Sequence, residues 1–433
     1  MGASMKKYII ISDFCLSARN RGTAALGYGA LAFLHEKGFL NNAQEIAFYT
    51  VRRNPFRCIL RPIKRDTVKV QEKSVVFAYL SVFSFEYKIW AKFGISLPFT
   101  RWGRFIRNIA LVAAINGGDG FSDIYGKILW NSRLKEIKLA MKIKAPLVLL
   151  PQTIGPFKDS KILAEAKQIM EYADAVYVRD KEFTIKLDKM GIRYELTNDL
   201  SAYMKPEPWN IDVKPDSVGI NVSGLAYSNN FLDLAGQFDA YPELMTKLVQ
   251  HFQKKGKTVY IIPHAYGYNN PEWDNDDMIS SREFYDSLED KTNVVLIDKD
   301  LISPQVKYVI SKMSFFIGTR MHANFAAIFT KVPVFGLAYS FKFQGAFENN
   351  GIYNRTAMIN NITSTDIPKI IEQIDNAYEE DVVKKMCSIN DSRIQRRNDP
   401  YGLEYPAEIE DCHFTRSYGM PKDEDFDRDY GRN

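Results

Sequence analysis

Short apolar runs alternate with longer segments of mixed polarity along most of the chain. Runs rich in Val and Ile without polar alternation are typical of parallel strands buried on both faces, and helix-length segments lie between them. The pattern predicts an α/β fold with helices on both faces of parallel sheets. The predicted strands are Lys7–Ser12, Ile109–Ile115, Leu147–Leu150, Ala175–Val178, Val218–Val222, Thr258–Ile262, Val294–Ile297, Phe315–Gly318 and Val332–Gly336. The predicted helices are Ala24–Glu36, Leu134–Ile143, Lys161–Tyr172, Lys181–Lys189, Pro242–Lys254, Ser303–Met313 and Ala323–Phe329.

A proline-rich segment, Met204–Ser217, interrupts this pattern, and a new apolar strand begins directly after it. Two α/β halves joined there would leave a cleft between the carboxyl ends of their sheets, where ligands usually bind in such folds. We therefore expect an N-terminal domain over residues 5–207 and a C-terminal domain over residues 216–375. A C-terminal helix and a polar tail would occupy residues 376–433.

Composition narrows the class of protein. The chain has 433 residues, 46% apolar and 25% charged, which excludes a collagenous or wholly disordered protein. The net charge of +5 is too small to indicate nucleic-acid binding. The longest apolar run, Val75–Phe85, is about half the length that spans a bilayer, so no transmembrane helix is expected. Cys15, Cys58, Cys387 and Cys412 show no paired spacing, which predicts neither disulfides nor a zinc site and favours a cytoplasmic setting.

Three glycine-bearing loops follow apolar runs, at residues 20–29, 116–123 and 151–157. Glycine allows backbone N–H groups to approach a ligand closely, and a helix N-terminus favours anions. A tight turn between a strand and a helix would explain any one of these loops. Three of them after successive strands of one domain indicate the lining of a binding site. The candidate residues in these loops are Arg21, Gly22, Gly117, Gly118, Gln152 and Gly155.

Cationic and titratable side chains also follow predicted strands. Arg179 ends one strand and precedes Asp180, so it fits either an anion site or a structural ion pair. Arg320 and His322 lie two residues apart at a strand-to-helix turn, which favours an anion site with a proton-transfer group, although a buried core histidine is the alternative. His264 follows another strand and is a further candidate substrate ligand, whereas the aspartates after it match no metal-ligand spacing and are expected to form a solvated acidic loop.

Four of these segments occur together in an order that resembles the polysaccharide pyruvyltransferase family over about residues 8–350. They are Gly117-Gly118-Asp119-Gly120-Phe121-Ser122-Asp123, Pro151-Gln152-Thr153-Ile154-Gly155-Pro156-Phe157, Tyr177-Val178-Arg179-Asp180 and Gly318-Thr319-Arg320-Met321-His322-Ala323. The likeness continues through Val332–Lys342. Two departures stand out, since Thr23 replaces the aspartate that is usual in the family's first loop, and Asp119 occupies a position where glycine is common.

The resemblance implies two Rossmann-like domains facing across a cleft, as in GT-B glycosyltransferases. It implies transfer of pyruvate from phosphoenolpyruvate to two hydroxyls of a sugar, giving a cyclic ketal and phosphate. Arg179, Arg320 and Lys342 would hold the donor, and His322 would act as a base or phosphate ligand. Asp119 and Asp123 would orient or deprotonate the sugar hydroxyls. Phosphoenolpyruvate is a co-substrate, and because arginines supply the charge, the scheme requires no metal or other cofactor. Alanine in place of Arg320 or His322 is expected to abolish activity and leave the fold intact.

Residues 52–107 combine basic and aromatic side chains, including Trp90 and Trp102. This composition suits an anionic membrane surface, and a lipid-linked saccharide acceptor at the inner face of the membrane would follow from it. The alternative is a core strand or helix flanked by a solvated charged face. Other functions left open are a GT-B glycosyltransferase using a nucleotide-sugar and an inactive surface-binding homologue. The acceptor sugar, the ketal positions and a homo-oligomeric state are not predicted.

Overall fold

The computed structural model describes residues 7–60, 63–340 and 342–381. The side chains of residues 57, 59, 60 and 342 fall outside the described set, and so does the donor ligand predicted at Lys342. Most of the predicted tail, with Cys387 and Cys412, also lies outside the described residues. Among the residues that the structure describes, no helix combines the length and the hydropathy needed to cross a bilayer.

Fourteen strands and fourteen α-helices are described. The strands are β1 (Tyr8–Ser12), β2 (Glu45–Arg52), β3 (Lys64–Val70), β4 (Lys73–Phe83), β5 (Ile109–Ala114), β6 (Leu147–Gln152), β7 (Ala175–Val178), β8 (Glu195–Leu196), β9 (Val218–Asn221), β10 (Val259–Ile261), β11 (Val294–Leu296), β12 (Phe315–Gly318), β13 (Val334–Ala338) and β14 (Thr356–Met358). The helices are α1 (Arg21–Glu36), α2 (Pro55–Leu60), α3 (Ser84–Phe93), α4 (Arg101–Arg107), α5 (Gly126–Arg133), α6 (Lys135–Ile143), α7 (Ser160–Tyr172), α8 (Thr184–Lys189), α9 (Gly224–Ser228), α10 (Tyr241–Lys254), α11 (Asp277–Ser287), α12 (Ser303–Ser311), α13 (Met321–Ile328) and α14 (Lys342–Glu348).

The strands form two sheets, and both contain the Rossmann strand order. In the first sheet, β4-β2-β1-β5-β6-β7 are parallel neighbours, which is the order 3-2-1-4-5-6 once the edge strands are set aside. The second sheet, β11-β10-β9-β12-β13-β14, is parallel throughout and repeats this order. The predicted fold class of two Rossmann-like halves is therefore confirmed. Both sheets belong to one compact unit that ends at Asp381.

The strands predicted from continuous apolar runs all exist, with bounds that differ by at most two residues. Five strands were absent from the predicted set, namely β2, β3, β4, β8 and β14. In β2 and β3 many residues are polar, and only the first three residues of β2 and the last residue of β3 are buried. β3 pairs antiparallel with β4, so the expectation of parallel pairing is wrong at this edge. An edge ribbon of this kind is solvated on one side, which removes the apolar pattern that reveals buried strands.

Separate apolar clusters cover the two faces of the first sheet. Trp102 of α4 and Trp130 of α5 are buried in one cluster, and Phe33 of α1 is buried in the other. The run Val75–Phe85 lies mostly in β4, a strand of the sheet, so the alternative of a core strand is confirmed for it. Trp90 and Trp102 are buried beneath helices, which corrects the expectation that they belong to a membrane-facing surface.

Helix α1 connects the two halves. Its first residue, Arg21, donates from Nε to the Leu301 carbonyl at 2.7 Å and from Nη2 to the Asp300 carboxylate at 3.0 Å, and its guanidinium stacks on the Tyr266 ring at 4.0 Å. Nearby, Lys307 of α12 is buried and donates to the backbone carbonyls of Ser201 and Met204. Burial lowers the pKa of this lysine to about 8, so the amine is less strongly protonated than a lysine in water.

The close approach of α1 to the turn Leu200–Ala202 predicts a size limit at Gly29. A Cβ there would lie 1.8 Å from the carbonyl oxygen of Leu200, which is backbone and cannot rotate away. Gly29→Ala should lower the free energy of unfolding by about 2–4 kcal/mol. The control is Gly345→Ala in α14, where a Cβ meets no atom within 4 Å and should stabilise by up to about 1 kcal/mol. Urea unfolding of both variants tests this contrast, and equal effects would contradict it.

Candidate active site

The predicted site residues follow strands at the carboxyl ends of both sheets, where ligands bind in Rossmann-like folds. In the first half they follow β5, β6 and β7, and in the second half they follow β10 and β12. The two ends meet where backbone N–H of Arg21 donates to the His264 carbonyl at 3.0 Å. Residues 150 or more positions apart in the chain are therefore neighbours at one junction.

Arg179 lies in the first half of this junction and already has a carboxylate partner. Its Nη1 donates to Asp199 at 2.7 Å, and its Nε donates to Thr153 Oγ1 at 3.0 Å. Asp180, the partner expected from the sequence, is farther away at 3.9 Å. Burial alone would raise the pKa of Asp199, but the Arg179 charge outweighs burial and holds this pKa below 3.8. The ion pair is therefore formed at neutral pH.

Arg320 lies in the second half of the junction. Its carboxylate partner, Asp277, is buried slightly more completely than Asp199. Nη2 and Nε lie 2.7 and 3.0 Å from Oδ1 of Asp277, and Nη2 also donates to the Asn275 carbonyl. Asp277 is fully buried and accepts backbone N–H groups of Gly224 and Ala265. Burial opposes its charge, but Arg320 lowers its pKa below 3.8 nonetheless. Arg320 therefore also has a structural role.

His322 lies near the first of these ion pairs, since the charges of Asp199 and Arg179 both affect its pKa. Its Nε2 is buried and has no hydrogen-bond partner among the described residues. Burial lowers the pKa of His322 below 6.5, Asp199 opposes this shift and Arg179 adds to it, so the imidazole is neutral at pH 7. A Cβ on Gly22 would lie 2.6 Å from the ring, so only glycine allows α1 of the other half to approach this closely.

His264 is a second neutral imidazole at the junction. Burial is the main cause that lowers its pKa to about 3, while Arg21 and Arg320 act in the same direction and Asp277 opposes the shift. Its Nδ1 is buried without a partner in the described part of the chain. A buried polar atom without a partner is uncommon, because desolvation costs about 1–3 kcal/mol. Two such nitrogens at one junction indicate a site where a ligand or a water molecule forms hydrogen bonds with them.

The sequence analysis missed one cation, Arg133 at the end of α5. Its Nη2 lies 3.2 Å from the position of a Cβ on Gly117, and a Cβ on Gly120 would overlap its Nη1. That Nη1 is buried and lacks a partner among the residues described. Its Nε lies 3.7 Å from Asp13, whose pKa burial raises while Arg133 opposes the shift. The glycines of this loop therefore make room for an arginine rather than only for a ligand.

The loop after β5 also contains two of the predicted carboxylates. Oδ2 of Asp119 accepts from the Tyr125 hydroxyl at 2.6 Å, and Asp119 lies close enough to Arg179 and His322 to affect their pKa values. Asp123 differs, since its Oδ2 accepts the backbone N–H groups of Lys158 and Asp159, just before α7. Its other oxygen is buried without a partner among the described residues. Asp119 thus belongs to the cluster at the junction, whereas Asp123 holds two loops together.

Four other predicted ligand residues have structural contacts. Gln152 is fully buried, and its side chain bonds to Ala114, Leu150 and Asn116. Gly155 has φ +71 and packs against the Phe183 ring, while Arg21 binds the other half as described above. Gly118, also with positive φ, lies against Arg179. Within the described ranges, no three His, Cys, Asp or Glu side chains are grouped as a metal ion would require.

The family model for polysaccharide pyruvyl transferase matches residues 20–341, well over half of the chain. The chain belongs to the polysaccharide pyruvyl transferase family. Within the chain, the match begins at the loop that precedes α1 and includes Arg179, Arg320 and His322. It ends one residue before Lys342. The assignment of the chain to a family of transferases therefore rests on the segment that carries the junction.

Solved structures similar to this chain have about 10% sequence identity to it. A putative UDP-N-acetylglucosamine 2-epimerase from Listeria monocytogenes has 10% identity and a TM-score of 0.49, covering 87% of this chain and 90% of its own. The ADP-heptose heptosyltransferase II of E. coli has 9% identity and a TM-score of 0.42, covering 86% and 99%. A trehalose-phosphate synthase from Burkholderia vietnamiensis has 10% identity and a TM-score of 0.38, covering 88% and 95%. These values are too low for a conclusion about activity.

Proposed function

We propose that this member of the family transfers pyruvate from phosphoenolpyruvate to two hydroxyls of one sugar unit, forming a cyclic ketal and releasing phosphate. The observation that carries the proposal is the buried, unpartnered Nε2 of His322, which lies close to the Arg179–Asp199 ion pair at the junction of the two halves. A neutral imidazole in this setting can accept a proton or donate a hydrogen bond to phosphate.

The donor carries a carboxylate and a phosphate, so it needs N–H donors that remain available. Arg179 and Arg320 each use some of their guanidinium N–H groups to bind an aspartate. Among the described residues, no partner is seen for Nη2 of Arg179 or Nη1 of Arg320, and guanidinium has five N–H donors. Arg133 adds its buried Nη1. We propose that these three groups bind the two acidic ends of the donor, with Lys342 as a fourth candidate.

The proposed reaction is an addition followed by a displacement at the same carbon. Protonation of the methylene carbon of phosphoenolpyruvate makes the adjacent carbon electrophilic, and a sugar hydroxyl oxygen bonds to it. The second hydroxyl oxygen then bonds to the same carbon, while the bond between that carbon and the phosphate oxygen breaks. The two hydroxyl protons balance the proton added to the methyl group and the charge on the departing phosphate. Each step needs one proton carrier within hydrogen-bond reach.

The residues at the junction divide between these tasks. His322 is proposed to accept the proton of the first sugar hydroxyl at its Nε2 and to pass it to the methylene carbon, because Nε2 has no other described partner. Asp119, oriented by the Tyr125 hydroxyl, is proposed to accept a proton from the sugar. Asp123 is proposed to orient this loop through the two backbone N–H groups that its Oδ2 accepts. The acceptor class proposed is a lipid-linked saccharide precursor, and the pathway class is capsule, exopolysaccharide or cell-wall glycan synthesis.

The test is incubation of the full chain with phosphoenolpyruvate and candidate saccharides. Phosphate release that depends on both substrates, with a product heavier by about 70 Da, would support the proposal. The same saccharides with nucleotide-sugars in place of phosphoenolpyruvate form the comparison. Transfer from a nucleotide-sugar would support the glycosyltransferase alternative. No observation on the described residues favours that alternative. Inactivity with both donors would favour the inactive homologue.

The lowered pKa of His322 predicts the acid side of the pH–rate profile. Because the neutral imidazole is the active form in this scheme, kcat/KM should be level near pH 7 and should fall as pH drops through a pKa below 6.5. Steady-state rates between about pH 5 and pH 8 would show this limb. His322→Gln should remove the limb along with most of the activity. A rate that instead rises on acidification below pH 6.5 would contradict the proposed role.

A further inference from the structure

A stretch of the first half exposes large apolar side chains to solvent. Phe85, Phe93, Ile95, Leu97 and Phe99 are each at least half exposed. We refer to residues 85–99 as the 85–99 surface. Scattered apolar residues are normal on proteins, but five within fifteen positions form a contiguous stretch, which usually marks an interaction site.

The backbone of this surface is ordered by polar contacts from below. Phe85, Lys88 and Lys92 lie on one exposed face of α3, because they follow the spacing of helix turns. The Lys142 amine donates to the carbonyl of Ala91, and Arg107 donates to that of Pro98. These bonds join the backbone carbonyls of Ala91 and Pro98 to side chains of α6 and α4.

The 85–99 surface contains one acidic residue, Glu86, which is only partly exposed and has a buried Oε1, and its other charges are positive. From Tyr87 to Asn108 the sequence contains no Asp or Glu and five basic residues, Lys88, Lys92, Arg101, Arg104 and Arg107. Lys142, on the neighbouring α6, lies 5.2 Å from the Trp90 ring. Lys88, Lys92, Arg104 and Arg107 are themselves exposed. Exposed apolar groups flanked by lysine and arginine are the arrangement by which proteins bind the interface of an anionic bilayer.

We propose that the 85–99 surface binds the face of an anionic lipid membrane, with its phenylalanine, isoleucine and leucine side chains in the interfacial region. A second copy of this chain fits the surface less well, because two identical basic patches would face each other. The proposal goes beyond pyruvyl transfer and does not require it. It would, however, bring the protein to the place where a lipid-linked acceptor is found.

The test is flotation of the full chain with vesicles of phosphatidylcholine containing about 30% phosphatidylglycerol. We expect binding to these vesicles at about 50 mM salt and at least roughly tenfold weaker binding to pure phosphatidylcholine. Raising the salt to about 500 mM should weaken binding, because counter-ions screen the lysines and arginines.

Two pairs of variants separate the apolar and charged contributions. Phe93→Ser/Phe99→Ser should lower the partition coefficient at least about tenfold, whereas Ile185→Ser/Leu232→Ser should not, although those residues are equally exposed. Lys88→Gln/Lys92→Gln should lower it by roughly tenfold and reduce the salt dependence. Lys186→Gln/Lys189→Gln, on the exposed face of α8, is the matched control.

Three outcomes would overturn the proposal. One is equal loss of binding in the 85–99 variants and their controls, which would show attraction by overall charge alone. Another is absence of binding together with a dimer, seen by sedimentation, that Phe93→Ser/Phe99→Ser dissociates, which would show that a second copy covers the surface. The last is absence of binding without such a dimer. None of these outcomes bears on ketal formation, so failure here leaves the proposed enzymatic activity standing.

Discussion

Replacing His322 by glutamine should lower the rate of ketal formation by about 10²–10⁴-fold, the range expected when a proton-transfer group is lost. Glutamine is similar in size and neutral, but it cannot take up a proton near pH 6. Because Nε2 of His322 has no described partner, the change removes no hydrogen bond that the fold depends on. The unfolding midpoint should therefore stay close to that of the wild type. The measurement is phosphate release at saturating phosphoenolpyruvate, with the folded state checked by circular dichroism.

His251→Gln is the control for this prediction. His251 bonds to Asp375 at 2.9 Å on the outer part of the second half, away from the junction. Its loss should leave the rate within about twofold. If His322→Gln kept wild-type turnover, His322 would have no part in proton transfer, and the proposed mechanism would fail at its central residue.

Replacing Arg320 by alanine should lower the free energy of unfolding by about 3–5 kcal/mol in addition to any loss of activity. The reason is that Asp277, which is fully buried, would lose the cation that keeps it charged. This differs from the expectation drawn from the sequence, where the same change was to leave the fold intact. Urea unfolding measures the effect, and Asp277→Asn in the same background should restore part of the stability, because an amide needs no counter-charge.

A matched control for Arg320 exists on the surface. Arg282 also binds an aspartate through two nitrogens, at 2.9 and 2.6 Å from Asp298, but both side chains are about 40% exposed. Water and salt screen such a pair, so Arg282→Ala should cost no more than about 1 kcal/mol. Similar losses in both variants would show that burial of the Asp277 pair does not raise its importance.

The sequence was sufficient to predict which strand ends carry the site, but not what each side chain does there. Arg179, Arg320 and His322 lie after apolar runs, and parallel strands bring such residues to one edge. Their partners, Asp199 and Asp277, could not be recognised. They lie 20 and 43 positions from the arginines they bind, in segments without a strand pattern. Only tertiary packing determines such pairs.

Exposure was harder to predict than secondary structure. Trp90 and Phe93 are three residues apart and both aromatic, yet the indole is buried and the phenyl ring is mostly in solvent. Helix α3 ends at Gly94, in the left-handed conformation, and beyond it the helical period no longer determines which side faces the core. Whether an aromatic residue here is buried or exposed therefore depends on the positions of the neighbouring α4 and α6. The local sequence pattern does not specify those positions.

The insertion of Arg21 into the second half has a consequence for any movement of the two halves. Its guanidinium and backbone are bound by Leu301, Asp300, Tyr266 and His264, and all of these bonds cross from one half to the other. A separation of the halves at this point would have to break them together. Removal of this one guanidinium would therefore remove the bonds to Leu301, Asp300 and Tyr266 at once.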